Sequence, residues 1–345
     1  MSEKPIQLAI VTVNYKTPDL TNRCIDAVLN DAQALPPFRM FVVDNNSGDG
    51  SPEVIGQHID ARDAGDCVEL LVAPVNGGYA YGNNVALRAI RERGLDPAYI
   101  WFLNPDTEVE LGAGKALIDF LDAHPQAGMA GSGLIDADGT PQISAFRFHA
   151  PLNEFLEYMQ LGILDRLFSN YQVTMPVASV PHRADWVTGA SFMITSRCID
   201  SVGLMDEGYF LYYEDVDYGF AAARAGWEVW TVPQSRVFHV CGAATGVLDF
   251  NMKQPRRPDY WFESRRRFFL KNYGKTTLLL ADIALLTGFS LWRLRRLIQR
   301  KPDFDSPGFL GDAFRHSVFA KGFRLQTRAL PSEVELPLAE QDSPS

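Results

Sequence analysis

The sequence predicts an α/β protein built on a mostly parallel central sheet, with a helical extension at its C-terminal end. Three observations carry this. Short β-branched runs alternate with helical patterns as far as Gly131, the links between them are short, and three runs end in clusters of Asn and Asp. Such alternation lays helices on both faces of a parallel sheet. Ligands of these sheets sit beyond the C-terminal strand ends, so polar clusters there are the first sign of a site.

Residues 8–13 (LAIVTV) read as a buried strand running into Asn14, Tyr15 and Lys16. Thr17 as N-cap and Pro18 at the first position open a helix to Asp31. Residues 40–43 form a second strand ending at Asp44-Asn45-Asn46-Ser47; a helix at 52–58 and a strand at 68–72 follow. The loop 76–78 leads into a helix at 81–93, and the strand 99–103 ends at Asn104-Pro105-Asp106 before a helix at 113–124. Beyond Gly131 the rhythm weakens. We expect a turn or hairpin at 133–140, an amphipathic helix at 155–168, loop at 171–184, strands at 187–195 and 228–232, and a helix at 215–225.

With 46% hydrophobic and 21% charged residues the chain can bury a sizeable core and lies outside the disordered range. A formal net charge of −10 argues against nucleic acid as a partner. The charge is uneven: residues 253–301 hold thirteen Lys and Arg against three Asp and Glu. Only this block could meet a phosphate-rich surface. Cys24, Cys67, Cys198 and Cys241 form no C-x-x-C pair and read as buried thiols in a reducing compartment. Residues 1–7 are short and polar, without the apolar core of a signal peptide, so a cytoplasmic location is the expectation.

Several groups can carry chemistry. A carboxylate at Asp106, in a proline-set turn at a strand end, can hold Mg²⁺ or Mn²⁺ near a diphosphate, although Asn-Pro-Asp-Thr is also a good turn and cap signal. Glu214-Asp215-x-Asp217 puts three carboxylates at a helix start beside an aromatic run. Helix dipoles favour acids there, but crowding against apolar walls also raises carboxyl pKa values and can produce a general base. His239 follows a strand in an apolar run and is a metal-ligand candidate or a core histidine. Asp44-Asn45-Asn46, Asn76-Gly77-Gly78 and Gly82-Asn83-Asn84 suit a nucleotide base and ribose. The glycine spacing is not the dinucleotide fingerprint, and no phosphate-loop lysine follows.

Taken together, VTVNY at 11–15, VDNNS at 43–47, NGGYAYGNN at 76–84, NPD at 104–106, VTGASFMI at 187–194 and FLYYEDVD at 210–217, with His239 downstream, resemble the family 2 glycosyltransferases. The resemblance is nearest to the rhamnosyltransferase-like branch and covers residues 6–246. It implies a GT-A fold, a nucleoside-diphosphate sugar donor, a divalent metal (Mg²⁺ or Mn²⁺) and inversion at the anomeric carbon. By position it implies that Asp44 contacts the base. Thr12, Asn14, Asn46, Asn76, Gly78, Asn84 and Asn104 would line the nucleotide-sugar pocket. Asp106 and His239 would hold the metal, Asp215 would be the catalytic base with Glu214 the second candidate, and Trp186, Gly189 and Asp217 would border the acceptor. The donor favoured by the motif style is dTDP-L-rhamnose, then a UDP-hexose, and a lipid-linked saccharide acceptor fits the basic block. A nucleotidyltransferase would instead carry a glycine-rich basic loop after the first strand, and a non-catalytic binding scaffold would be expected to lose Asp106 or the acidic pair.

The resulting division is a catalytic domain at 1–250, a basic and apolar helical extension at 251–330, and an acidic tail at 331–345 that reads as disordered. Within the extension, residues 276–294 are nearly long enough to cross a bilayer but are interrupted by Asp282 and Arg293. Flanking arginines favour a helix lying on a membrane surface; packing on the catalytic domain or in a homodimer is the alternative.

Overall fold

In the computed structural model, which describes residues 5–240 and 254–331, the strands β1 (Leu8–Asn14), β2 (Phe38–Asp44), β3 (Val68–Val72) and β4 (Tyr99–Leu103) lie parallel in the order β3-β2-β1-β4. Alternation along β1 sorts its side chains. Leu8 and Ile10 enter a core with Cys24, Ile25 and Val28 of α1 (Pro18–Asp31) and Ile55 of α2 (Ser51–Ala61), whereas Ala9, Val11 and Val13 face Val85, Ala86 and Ala89 of α3 (Tyr79–Glu92). A sheet buried on both faces must be apolar at every position, and β1 is buried throughout.

The sheet continues through β5 (Thr107–Val109), with α4 (Ala113–Ala123) and β6 (Ala127–Ile135) after it. A small second sheet pairs β7 (Ala145–Phe146) with a strand further on; α5 (Pro151–Met159), α6 (Gly162–Leu167) and β8 (His182–Ala184) lie between, and β9 (Trp186–Val187) is that partner. Then come β10 (Ser191–Thr195), α7 (Ser196–Val202), α8 (Glu214–Arg224) and β11 (Glu228–His239). The main sheet has nine strands, with β10 antiparallel between β4 and β6, then β11, and β5 and β8 on β11.

The second half corrects several expectations. The turn expected at 133–140 begins inside β6, a strand hidden by its glycines; a Cβ at Gly131 would sit 2.6 Å from Val187 Cβ, so glycine permits close approach of β9. The helix expected at 155–168 is two helices, broken where Gln160 takes φ 49°. The strand expected at 187–195 splits at Thr188-Gly189-Ala190. The strand expected to end at Val232 runs on to His239, because Pro233 lies in a register shift between Val232 and Arg236 rather than ending the ladder. Thr17 holds the N-cap position of α1 as expected, but its side chain makes no capping bond; Asn14 Oδ1 accepts from the Thr17 N–H and hydroxyl, each at 3.2 Å, and from Thr21 Oγ1 at 2.9 Å.

The extension consists of α9 (Asp259–Asn272), α10 (Lys275–Gln299), α11 (Phe309–His316) and α12 (Val318–Lys321). It shares one core with the sheet domain: Trp186, Tyr209, Tyr213 and Val216 pack with Trp261, Phe268, Phe269 and Leu285. Asp282 does not interrupt a membrane span. It is buried in an ion triad in which Arg265 bonds Asp282 Oδ1 at 2.7 Å and Glu154 Oε2 at 2.9 Å, and its other oxygen accepts from Val318 N at 2.8 Å. The arginines read as a surface cluster are also committed: Arg267 pairs with Asp206, and Arg293 and Arg296 with Asp303 and Asp305. The chain then returns across the Gly77 loop, where Arg328 Nη1 donates to Gly77 O at 2.7 Å and Leu330 packs on the main core. The expected boundary at 250, Cys241 and nearly all of the acidic tail fall outside the described residues. Cys24 and Cys198 are buried free thiols, and Cys67 is half-buried.

Candidate active site

Three strand ends build a polar frame. Asn14, at the end of β1, donates to Asp44 Oδ1 at 2.7 Å and to Ser47 Oγ at 3.2 Å, while Ser47 returns its N–H to Asp44 Oδ2 at 2.9 Å and its hydroxyl to Oδ1 at 2.6 Å. Asp44 is thereby clamped in one orientation at the rim of β2. Asn45 reaches across to Asn76 Oδ1 and Gly78 O, both at 3.1 Å, and Asn76 Oδ1 also accepts from Gly78 N at 3.1 Å. Gly78 has φ 90°, and a Cβ there would overlap the Phe210 carbonyl, whose oxygen accepts from Tyr79 N. Asn46 is exposed at φ 56° and donates to Pro74 O at 2.8 Å.

Other expected pocket residues are buried too. Thr12 is wholly enclosed, its hydroxyl 3.8 Å from Cys24 Sγ. Asn14 is equally enclosed, with its amide used up in positioning Asp44 and α1. Asn84 bonds the Met205 backbone at both ends and Glu207 Oε1 at 2.8 Å, so it ties α3 to the loop before α8. All three are enclosed, as is Asp44, and make their side-chain bonds to other protein groups.

Past β4, Asp106 is buried and its Oδ1 lies 3.6 Å from His239 Nε2 at the end of β11. Neither Asp106 Oδ1 nor His239 Nδ1 has a hydrogen-bond partner. Burial raises the Asp106 carboxyl and lowers the His239 imidazole, each opposed by the other's charge. Asp106 Oδ1 and His239 Nε2 face each other at 3.6 Å, beyond hydrogen-bonding distance, an oxygen and a nitrogen spaced to share a divalent cation. Among the described residues no group of three or more such side chains forms a complete protein cage. The pair thus suits an ion that keeps ligand oxygens in its shell, as Mg²⁺ does.

The acidic set opens α8. Tyr212 and Tyr213 take φ 70° and 68°, a left-handed pair of non-glycine residues that costs about 1–2 kcal/mol each and aims the next two side chains. Glu214 is buried, and burial followed by the charge of Asp215 pushes its carboxyl well above the ordinary range; its Oε2 has no partner. Asp215 is half-buried. Burial raises it too, against N–H bonds from Val216 at 2.8 Å and Gly189 at 3.2 Å. Asp217 turns the other way, since two residues along a helix is about 200° of rotation. It accepts from Lys271 at 2.6 Å, Asn272 at 2.7 Å and Tyr209 at 3.1 Å, so it braces α9 and does not line the cavity beside Asp215 where an acceptor is expected.

Asp215 and Glu214 line a cavity of about 240 Å³ with Trp186, Tyr212, His149 and Arg257. Trp186 is held by stacking on Phe146 at 4.2 Å and by its Nε1 bond to Arg147 O at 2.9 Å. His149 carries no signal in the sequence, and Arg257 falls within the basic block 253–301 without being marked as a site residue. The turn after β9 joins the two halves of the site. Gly189 donates to Asp215, its carbonyl accepts from Tyr79 Oη at 2.8 Å, and Ala190 O accepts from Asn104 N at 2.9 Å. Tyr79 stands where the halves meet: burial first, then the charges of Glu214, Asp215 and Asp106, push its phenol up.

A mostly parallel α/β sheet, a polar frame at its strand ends, a bare Asp–His pair and carboxylates across from it define a glycosyltransferase of the GT-A fold. The glycosyl transferase family 2 profile matches residues 9–178. Over 224 residues, 61% of this chain and 69% of the relative, it is 28% identical to N-acetylglucosaminyl-diphospho-decaprenol L-rhamnosyltransferase of Mycobacterium tuberculosis. It is 21% identical over 310 residues, 88% and 89% of the two chains, to the low-salt glycan biosynthesis hexosyltransferase Agl10 of Haloferax volcanii. In structure it is similar to a mannosyltransferase of Pyrobaculum calidifontis solved with GDP-Man and Mn²⁺, with a TM-score of 0.51 over 93% of this chain and 85% of that one at 12% identity.

Proposed function

We propose that this enzyme is an inverting glycosyltransferase that moves L-rhamnose from dTDP-L-rhamnose to a hydroxyl of a lipid-linked saccharide during cell-surface polysaccharide synthesis. The observation that carries the reading is the turn after β9, where Gly189 bonds both Asp215 and Tyr79 and Ala190 bonds Asn104 beside Asp106, next to the cavity that Glu214 and Asp215 line. Asp44 and the Asn45–Asn76–Gly78 frame hold the nucleotide. Asp106 and His239 hold Mg²⁺ or Mn²⁺, which when bound neutralises charge growing on the leaving diphosphate. Asp215 takes the acceptor proton: it is open to the cavity and oriented by two N–H groups, whereas Glu214 is held protonated by burial and by Asp215 itself. dTDP-L-rhamnose as donor is supported by the mycobacterial relative, whose name specifies rhamnosyl transfer, and the acceptor class by that relative's decaprenol-linked saccharide.

Contact with the cytoplasmic face of a membrane is part of the proposal. One face of α10 leaves Leu280, Ile283, Leu291, Leu294, Leu297 and Ile298 exposed, while the opposite face is packed in the extension. That helix is long and apolar enough to span a bilayer by length and composition, but its buried face and ion triad support lying on the surface instead.

The test is thermal stability with candidate donors in Mg²⁺ or Mn²⁺. A donor at 100 times its Kd adds about 2.7 kcal/mol of stability. dTDP-L-rhamnose should raise the melting temperature most, and Asp106→Ala should remove both the metal-dependent part and transfer while leaving the unliganded melting temperature within a few degrees. Full transfer by the Asp106→Ala enzyme, or by chelator-treated wild type, would end the metal assignment.

A further inference from the structure

The catalytic cavity does not stop at Asp215. Tyr158, Tyr212, Arg257 and Trp261 line it and also line a second, larger cavity of about 910 Å³, so the two are contiguous. The larger one lies wholly against the extension, between α5, α10 and the segments flanking α9 and α11. No step of the proposed reaction uses it.

Its charges are unequal in their commitments. Arg256 is bidentate to Asp312 at 2.7 and 2.8 Å, and Asp305 accepts from Trp292 Nε1 at 3.0 Å and from Arg293 at 3.2 Å. Arg257 and Lys301 make no ion pair among the described residues. They lie instead over indole rings, Arg257 at 4.2 Å from the Trp261 centroid and Lys301 at 5.7 Å from that of Trp292. The remaining wall is aromatic, with Phe289, Phe304 and Phe309. Two cations free to bind an anion, in a chamber walled by rings, suit a ligand that is both phosphorylated and apolar.

We propose that this chamber is the subsite for the diphosphate and first isoprene units of a lipid-linked acceptor, with Arg257 and Lys301 gripping the diphosphate. The assignment rests on the glycosyltransferase reading above and names the acceptor class for that same site. Electrostatics fix the direction. Glu154, Glu157 and Asp215 line the inner cavity and disfavour a phosphate there, so the anionic end stays at Arg257 and the sugar hydroxyl enters toward Asp215. The rings of Phe289, Phe304 and Phe309 then meet the hydrocarbon.

Two readouts test this. The first is kinetic, comparing farnesyl-diphospho-N-acetylglucosamine with octyl β-N-acetylglucosaminide, acceptors that differ in the diphosphate and the chain. Arg257→Gln and Lys301→Gln should each lower the preference for the diphosphate acceptor about ten- to hundredfold, the range for one charged hydrogen bond. Arg257→Lys should recover part of it. An unchanged preference in both variants overturns the assignment. The second is binding of farnesyl diphosphate in metal-free buffer, followed by quenching of tryptophan fluorescence, since Trp261 and Trp292 line the chamber. Wild type should be quenched, Arg257→Gln should need at least tenfold more ligand, and inorganic pyrophosphate should bind at least tenfold more weakly. Equal binding of pyrophosphate overturns the lipid-carrier source. A chain that binds farnesyl diphosphate through Arg257 yet transfers no sugar overturns the glycosyltransferase reading instead, so the two failures are distinct.

Discussion

Replacing Asp215 with Asn tests the division of labour between the two adjoining carboxylates. The side chains are nearly isosteric, and the new amide oxygen can still accept from Val216 N–H where Oδ1 does now at 2.8 Å. The bond from Gly189 N–H at 3.2 Å is lost if the amide nitrogen faces it, a cost of about 1 kcal/mol that relief of a buried charge offsets. The fold should therefore survive with stability changed by about 1 kcal/mol or less. Turnover should not: loss of a general base lowers kcat by about 10²–10⁴. Donor KM should change little, because the proposed donor residues Asp44 and Asp106 lie at other strand ends. The pH profile adds a second check. Burial raises the Asp215 carboxyl above its ordinary 3.8, and the base works only when ionised. Wild-type kcat/KM should rise with pH through that raised value, and Asp215→Asn should lack this acid limb. Glu214→Gln is the control. A carboxyl held protonated is mimicked by an amide, so this variant should keep activity within about tenfold and keep the limb. Initial-rate assays of nucleotide release across pH would decide. An inactive Glu214→Gln beside an active Asp215→Asn would refute the reasoning and exchange the two roles.

Two further outcomes follow from the extension. Asp282→Ala strands Arg265 and the Val318 N–H in the core, and a broken buried pair costs about 3–5 kcal/mol, measurable by urea unfolding; a loss under 1 kcal/mol would mean that Glu154 alone satisfies Arg265. The protein should sediment with anionic vesicles and resist release by salt, because most of its arginines are paired internally, and Leu291→Glu with Leu294→Glu should weaken the association; a stable dimer that ignores vesicles would assign the α10 face to self-association.

The first half of the fold is legible because local pattern and global packing agree there. A strand such as β3 or β4, buried between two helical layers, has no choice but to be apolar, and its ends fall where the apolar run stops. Legibility fails where a contact distant in sequence overrides the local signal. The glycines of β6 look like turn residues until Val187 and Pro233 are seen against them, and Pro233 looks like a strand end until the register shift absorbs it. Within the site, the strand-end motifs identify the right loops, but residue type alone does not say how deep each side chain sits. Thr12, Asn14 and Asn84 carry the polar character of a ligand contact and spend it on Cys24, Asp44 and the Met205 backbone. The acidic triplet divides by helical rotation, which sends Asp215 to the cavity and Asp217 to Lys271.

The extension shows the same limit more sharply, and it decides how the enzyme is built. Arginines and leucines in residues 253–301 read as a basic, membrane-seeking block when considered along the chain. In space, Arg265 finds Glu154 from the catalytic half, Arg267 finds Asp206 beside the donor side, and Lys271 finds Asp217 inside α8. Cations of the extension thus cancel anions of the sheet domain, which is why two oppositely charged halves of one chain form a shared core. The helix that carries the base is consequently braced from behind by α9, and the strap ending at Arg328 touches Gly77 next to the donor loop. Catalytic geometry on both sides of Tyr79 therefore depends on the extension being docked. Among the cations of the described extension left without an ion pair, Arg257 and Lys301 face the open chamber leading to Asp215.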